Sequence, residues 1–406
     1  MILFENATIF DGKKIIPSNS ILIEKNIIKE VGNNIKSNNV NLKINVKNFF
    51  LMPGLIDAHF HANTPNYDFY SSDRYPKNYI AFHAKNILSD TLKRGFTTVR
   101  DAGGGDIGIK MALNEQLFEG PRFFYPGKAI TQTGGHGDMR NQEYLESCSC
   151  AYDGNITQLV DGEDNMRRVV REEFRKGANH IKLILTGGVS TNLAPIEMRH
   201  FSDAEIKICV EEAERRNSYV MAHCHTDEGA LRCIQLGIRS IEHGSLISSK
   251  TAKKIYKSGN FVVPTLSAGH LIEKNYKQLG LSEHSLQKVK EVNKKRSMAI
   301  QNCSKAKVKM GLGSDLHGRE YLQNQSRELI LRSEFQGNIE VLRSATLVNA
   351  EILQMKGKIG TIEENAFADL IILNDNPLKN INVFSNPNKN VKFILKDGQI
   401  VKNLLN

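Results

Sequence analysis

The chain has 406 residues, 40% of them hydrophobic and 24% charged, the balance of an ordinary soluble globular protein rather than a disordered or fibrous one. A net charge of +10 would suit a nucleic-acid binder, but the lysines are spread along the whole chain without a basic run or interleaved aromatics, so nucleic acid is not an expected partner. No stretch approaches about 18 consecutive apolar residues, which argues against a membrane span. The six cysteines (Cys148, Cys150, Cys209, Cys224, Cys233, Cys303) lack metal-knuckle spacing and read as reduced thiols.

The chain starts with "MILFENATIFDGKK", which alternates like a strand and lacks the basic-then-apolar layout of a signal peptide. A cytoplasmic location is the expectation. Residues 1–52 read as short strands with a hairpin signal in "FDGKK", and residues 357–406 do the same with "LKDGQIV". The two ends are expected to pair into one small β-sandwich.

Between them, residues 53–356 alternate strands and helices. The strand-like segments are "GLIDAHFHA", "GFTTVRDA", "RFFYPGKAI", "HIKLILTGG", "YVMAHCHT", "RSIEHGS", "FVVPTLSA" and "VKMGLGSD". Helical patterns run through "DNMRRVVREEFRKGAN" and "SDAEIKICVEEAERRNS"; in the second, Ser202 and Glu205 have capping-box spacing. Eight strands, each followed by a helix, predict an α/β fold, a parallel (β/α)8 TIM barrel. Residues 138–163 form a long polar insertion after the third strand, where barrel loops often serve as lids.

Chemistry in such a barrel sits at the C-terminal ends of the strands. His59 and His61 share one face of the first strand because side chains alternate. Lys182 lies in the fourth strand, His223 in the fifth, His243 in the sixth, and Asp315 follows the eighth. Taken singly, each has an ordinary structural explanation; together they fall at corresponding strand ends. An ammonium at Lys182 would cost several kcal/mol to bury and could not hold a cation. Once carboxylated by CO2 it becomes an anion able to bridge two divalent metals, which lower the pKa of a water and polarise a carbonyl. Asp315 would bind one metal and act as the base. His136, Arg140 and His225 lie on the same face and are candidates for substrate binding; His136 is also a catalytic candidate, able to donate to the carbonyl oxygen or to a terminal carboxylate, and Arg140 is suited to fork a carboxylate.

These residues, with "MPGLIDAHFHA", "GSD" and "GTIEENAFADLIILNDNPL", resemble the amidohydrolase superfamily over essentially the whole chain. The segments "TQTGGHGDMR", "LTGGVST", "SIEHGSLI" and "GLGSDLHG" resemble its metal-dependent dipeptidase branch. That branch includes Xaa-Pro dipeptidases, carboxypeptidases for basic C-terminal residues and an amidase acting on ochratoxin. The resemblance implies zinc as the metal and a homo-oligomer, often an octamer, acting on a dipeptide or other small substrate. One departure concerns specificity: His225 stands where Xaa-Pro dipeptidases of this type often carry Tyr. Two other readings are a one-metal, imidazolonepropionase-like hydrolase of cyclic amides and a non-catalytic scaffold. The intact Lys182 argues against the first and the complete ligand set against the second.

Overall fold

The computed structural model describes residues 1–405 apart from 38, 141–153 and 192–193. Six strands precede the barrel: β1 (Ile2–Glu5), β2 (Thr8–Ile9), β3 (Ser20–Glu24), β4 (Ile27–Gly32), β5 (Leu42–Asn45) and β6 (Phe50–Pro53). The barrel contributes β7 (Leu55–Phe60), β8 (Phe96–Asp101), β9 (Arg122–Phe124), β10 (Ala129–Thr131), β11 (Thr157–Leu159), β12 (Ile181–Ile184), β13 (Val220–Cys224), β14 (Ser240–His243) and β15 (Phe261–Val263). The chain closes with β16 (Leu370–Leu373), β17 (Val391–Lys396) and β18 (Gln399–Asn403).

Both termini build the sandwich. One sheet runs β4-β3-β1-β5; the other runs β18-β17-β16-β6-β2 and so joins N- and C-terminal segments side by side. Phe4, Ile21, Ile23, Leu51, Ile372 and Phe393 are buried in a core shared by the two sheets. The β17–β18 hairpin turns on Asp397 and Gly398, with φ of 49° and 74°. Two consecutive left-handed residues form the turn whose twist matches the flanking strands.

The barrel strands pair in parallel as β7-β8-β9 and as β11-β10-β12-β13-β14-β15. Two details differ from the sequence expectation. The third strand is split into β9 and β10 at Pro126-Gly127, where proline has no N–H to give and Gly127 takes a φ of +74°. The eighth segment is not a regular strand, although it still closes the ring. On one side Val262 N–H bonds to Lys309 O and Gly311 N–H to Val262 O; on the other Ala58 N–H bonds to Leu312 O and Asp315 N–H to His59 O. The Asn349 side chain takes over further backbone groups, accepting from Leu312 N–H and donating to Ile56 O and Leu312 O.

The helices follow the pattern expected. Asp203–Glu214 opens with the full capping box between Ser202 and Glu205, and Glu163–Arg175 lays Met166, Val169 and Val170 against the barrel. Cys209, Cys224, Cys233 and Cys303 are buried free thiols; Cys148 and Cys150 lie outside the described residues, as does half of the expected lid, residues 141–153. Among the described residues, no helix is long and apolar enough to cross a membrane.

Candidate active site

The strand ends deliver their polar side chains to one cavity at the barrel mouth. His59 and His61 flank Phe60 at the end of β7, with ring centroids 5.4 Å apart. In the parallel register Lys182 of β12 pairs with Met221, Ile184 with His223, and Cys224 with His243. Asp315 Oδ1 lies 3.3 Å from His59 Nε2 and 3.2 Å from His61 Nε2. The His223 ring is 4.5 Å from His243 and 4.8 Å from His225.

Two of these residues sit in left-handed backbone: His243 at φ +71° and Asp315 at φ +53°. Such conformations are uncommon outside glycine, and at functional sites they re-aim side chains. For His243 the effect is visible. Alternation would send it to the face opposite Glu242, yet both reach the barrel interior.

Burial sets the protonation states. It holds the imidazoles of His136, His223, His243 and His317 well below their ordinary value, leaving them neutral at physiological pH. For His225, burial followed by the charge of Arg296 brings the value to about 3. Burial pushes the Asp315 carboxyl upwards, but His59 and the hydrogen bonds from His59 and His61 outweigh it and hold the group well below the carboxylate range. Lys182 is buried, makes no hydrogen bond to another described residue, and is lowered to about 8 by that burial.

A second layer aims the rings. Glu242 Oε2 meets His59 Nδ1 at 2.7 Å, while Oε1 accepts from Arg100 Nη2 at 2.9 Å and from Ser240 Oγ at 2.7 Å. Arg100, fully buried, also donates to Ala58 O and Ser240 Oγ. His243 Nδ1 meets Thr265 Oγ1 at 2.7 Å, and His225 Nδ1 meets Ser245 Oγ at 3.0 Å. Occupying Nδ1 in this way directs Nε2 of each ring to the cavity.

The donor chemistry fits a metal. Three groups have ligand atoms within 4.8 Å of one another: His223 with His225 and His243; His59 with His243 and Asp315; and His61 with Asp315 and His317. They overlap at His243 and Asp315. Neutral imidazoles and an ionised carboxylate are the forms that coordinate divalent ions.

His59, His61, Lys182, His223, His243 and Asp315 all converge here, and His136 and His225 line the same cavity. His136 packs on His223 at 4.6 Å, in space left by Gly188. Arg140 is placed differently. Its Nε and Nη2 donate to Asp138 at 2.9 and 2.7 Å, and it lines an adjoining outer cavity instead. Sequence reasoning missed Glu242, Arg100, Arg296 and His317. His317 had a signal, lying two residues after Asp315 just as His61 follows His59. The ring of His317 stacks on His61 at 4.7 Å and is edged by Tyr67 and Phe69.

This histidine–carboxylate constellation at the mouth of a barrel, beside a two-ended sandwich, has known counterparts. The Amidohydrolase family profile matches residues 50–401. The chain belongs to the amidohydrolase family. It is a hydrolytic enzyme acting on amide bonds. Among solved amidohydrolase structures, a prolidase complexed with N-methylphosphonate-L-proline is 39% identical with a TM-score of 0.95, the match covering 99% of each chain. A Xaa-Pro dipeptidase with methionine bound in its active site is 29% identical with a TM-score of 0.87, covering 99% of this chain and 100% of that one. Ochratoxinase from Aspergillus niger is 30% identical over 369 residues, 87% of this chain and 75% of that protein.

Proposed function

We propose that residues 53–356 carry a binuclear metal-dependent dipeptidase that hydrolyses the amide bond preceding a C-terminal residue, proline first. The observation that supports this most is the overlap of three donor groups at His243 and Asp315 around the buried Lys182. Such an arrangement offers ligands for a pair of ions. Lys182 lacks a partner among the described residues; its amine nitrogen adds to the carbon of CO2, an N–C bond forms, a proton leaves, and a carbamate anion results. His59, His61, His223, His243, Asp315 and carboxylated Lys182 would hold two divalent ions, zinc by family resemblance. Such ions, when bound, supply an activated water and polarise the scissile carbonyl.

The chain's own residues do the rest. Asp315, held ionised, takes the proton of the attacking water and passes it to the leaving nitrogen. A prolyl nitrogen leaves as a secondary amine and needs that proton. His136, neutral and packed beside His223, offers an N–H to the carbonyl oxygen as charge develops there. A proline amide carries no N–H, so the site needs no acceptor for one. The similarity to a prolidase that takes a proline phosphonate supports this substrate class.

A second substrate reading is an amide of another C-terminal residue. It is favoured by His225, by the similarity to ochratoxinase, and by the apolar wall of Tyr67, Phe69, Ile156, Val189 and Ile272. A homo-oligomer is the assembly we infer from the family. The test is metal analysis of purified protein, followed by a dipeptide library on the loaded enzyme. About two ions per chain and selective cleavage of Xaa-Pro support the proposal. One ion with activity only on cyclic amides refutes it, and cleavage of other C-terminal residues in preference to proline moves the second reading forward.

A further inference from the structure

Arg296 lies in the middle of the helix Glu283–Lys305, and its guanidinium reaches the wall of the histidine-lined cavity. It is 7% exposed. Its one hydrogen bond to a described residue is a long contact from Nη1 to Thr265 O at 3.4 Å, and it forms no ion pair with any described carboxylate. Two other buried arginines are held far more fully. Arg100 is forked onto Glu242, Ser240 and Ala58; Arg232 holds Asp203 and two backbone carbonyls. Glu328, whose charge acts on Arg296, is occupied with the backbone N–H groups of Leu266 and Ser267.

The space for this guanidinium is provided deliberately by the sequence. Gly269 sits within the helix Leu266–Asn275, where a Cβ would stand 2.2 Å from Arg296 Nη1 and 2.7 Å from Asn293 Oδ1. Glycine inside a helix costs about 1 kcal/mol relative to alanine. Here it lets an arginine from the neighbouring helix pass into the cavity.

A buried guanidinium cannot neutralise itself by losing its proton, and leaving it unpaired away from water is costly. Among the described residues lining the cavity, the non-imidazole cations are Lys182 and Arg296, and the first loses its charge on carboxylation. We propose that Arg296 is the residue that grips the α-carboxylate of the substrate's C-terminal residue, through the opening that Gly269 leaves, so that the substrates of this site are amides whose leaving amine carries a free carboxylate. This deepens the dipeptidase reading and rests on it. The role expected of Arg140 passes to Arg296.

The test is calorimetric binding to the metal-loaded full chain. The probes are L-proline, L-phenylalanine and L-lysine, each against its C-terminal amide. Wild type should bind the best of the acids roughly 10- to 100-fold more tightly than its amide, the range of a charge-assisted hydrogen bond. Arg296→Gln should lose that difference while its affinity for the amide stays within about 3-fold, and Arg296→Lys should restore part of it. Gly269→Ala is the second variant. It favours the helix but drives its Cβ into Nη1, and it should reproduce the loss if Arg296→Gln fails to fold. An acid-over-amide preference that survives in Arg296→Gln or Gly269→Ala overturns the assignment, as does wild type binding acid and amide alike. If the preference depends on Arg296 but no dipeptide is cleaved, the dipeptidase reading falls and the carboxylate site stands.

Discussion

Replacing Gly188 by alanine should disable the enzyme without unfolding it. The glycine follows β12, and a Cβ built there would lie 2.4 Å from His136 Nε2, 2.5 Å from Cε1 and 2.6 Å from Cδ2. Ordinary contact begins at 3.4 Å, so the imidazole must retreat by about 1 Å. The obstacle is the ring itself, not the tip of a flexible chain. His136 packs on His223 at 4.6 Å, and its backbone N–H is held by His200 Nε2 at 3.3 Å, so the displacement passes to His223. Gly188 is not in left-handed backbone, so alanine brings no dihedral strain. Overpacking of this size costs about 1–3 kcal/mol, which a folded domain survives. A misplacement of about 1 Å at a reacting centre costs up to ~10²-fold in rate. The assay is kcat/KM on the dipeptide the wild type cleaves best, with thermal unfolding as the control. Repeating Gly188→Ala in a His136→Ala background separates the mechanism, because with the ring gone the methyl has nothing to displace. A single variant within about 3-fold of wild type, or an equal loss in the His136→Ala background, would refute the reasoning.

Lys182→Ala should lower metal occupancy and abolish nearly all turnover; elemental analysis and kinetics check both, and a fully loaded, active variant would remove Lys182 from the site. Asp315→Asn keeps the shape while removing the base, so turnover should fall by ~10²-fold or more while the fold and at least one metal survive. Glu242→Gln leaves His59 Nδ1 with a weaker partner and should reduce metal affinity by roughly 10- to 100-fold in a chelator titration. Gly398→Ala puts a Cβ 1.8 Å from Lys25 O at a φ of +74°. It should lower the unfolding midpoint while leaving the kcat of the folded enzyme near wild type, because the hairpin is remote from the barrel mouth.

The barrel and the convergence of the strand-end side chains on one cavity were legible because each rests on a short-range rule. Strand alternation puts His59 and His61 on one face regardless of the rest of the molecule, and the turn at Asp397-Gly398 is fixed by residues that tolerate left-handed backbone. The capping box at Ser202 is equally local. The eighth strand was less legible, because the hydrogen bonds that hold it come from Asn349 and from two neighbouring strands far apart in sequence.

Arginine shows where sequence reading stops. Arg140 lies beside a glycine-rich motif and looked like an anion fork, whereas Arg296 is one of several cations on an ordinary amphipathic helix. Folding reverses their prospects: Asp138, two residues from Arg140, accepts its guanidinium, while Gly269 on another helix opens a path for Arg296 into the cavity. Glu242 and Arg100 likewise become partners across 142 residues of chain. Sequence by itself determined which groups could bind a metal and which face of each strand would carry them, because those depend on side-chain chemistry and a two-residue period. Only the tertiary structure decided which charges are already paired and which remain open to a substrate, because pairing depends on contacts between segments that the chain does not bring together until it folds.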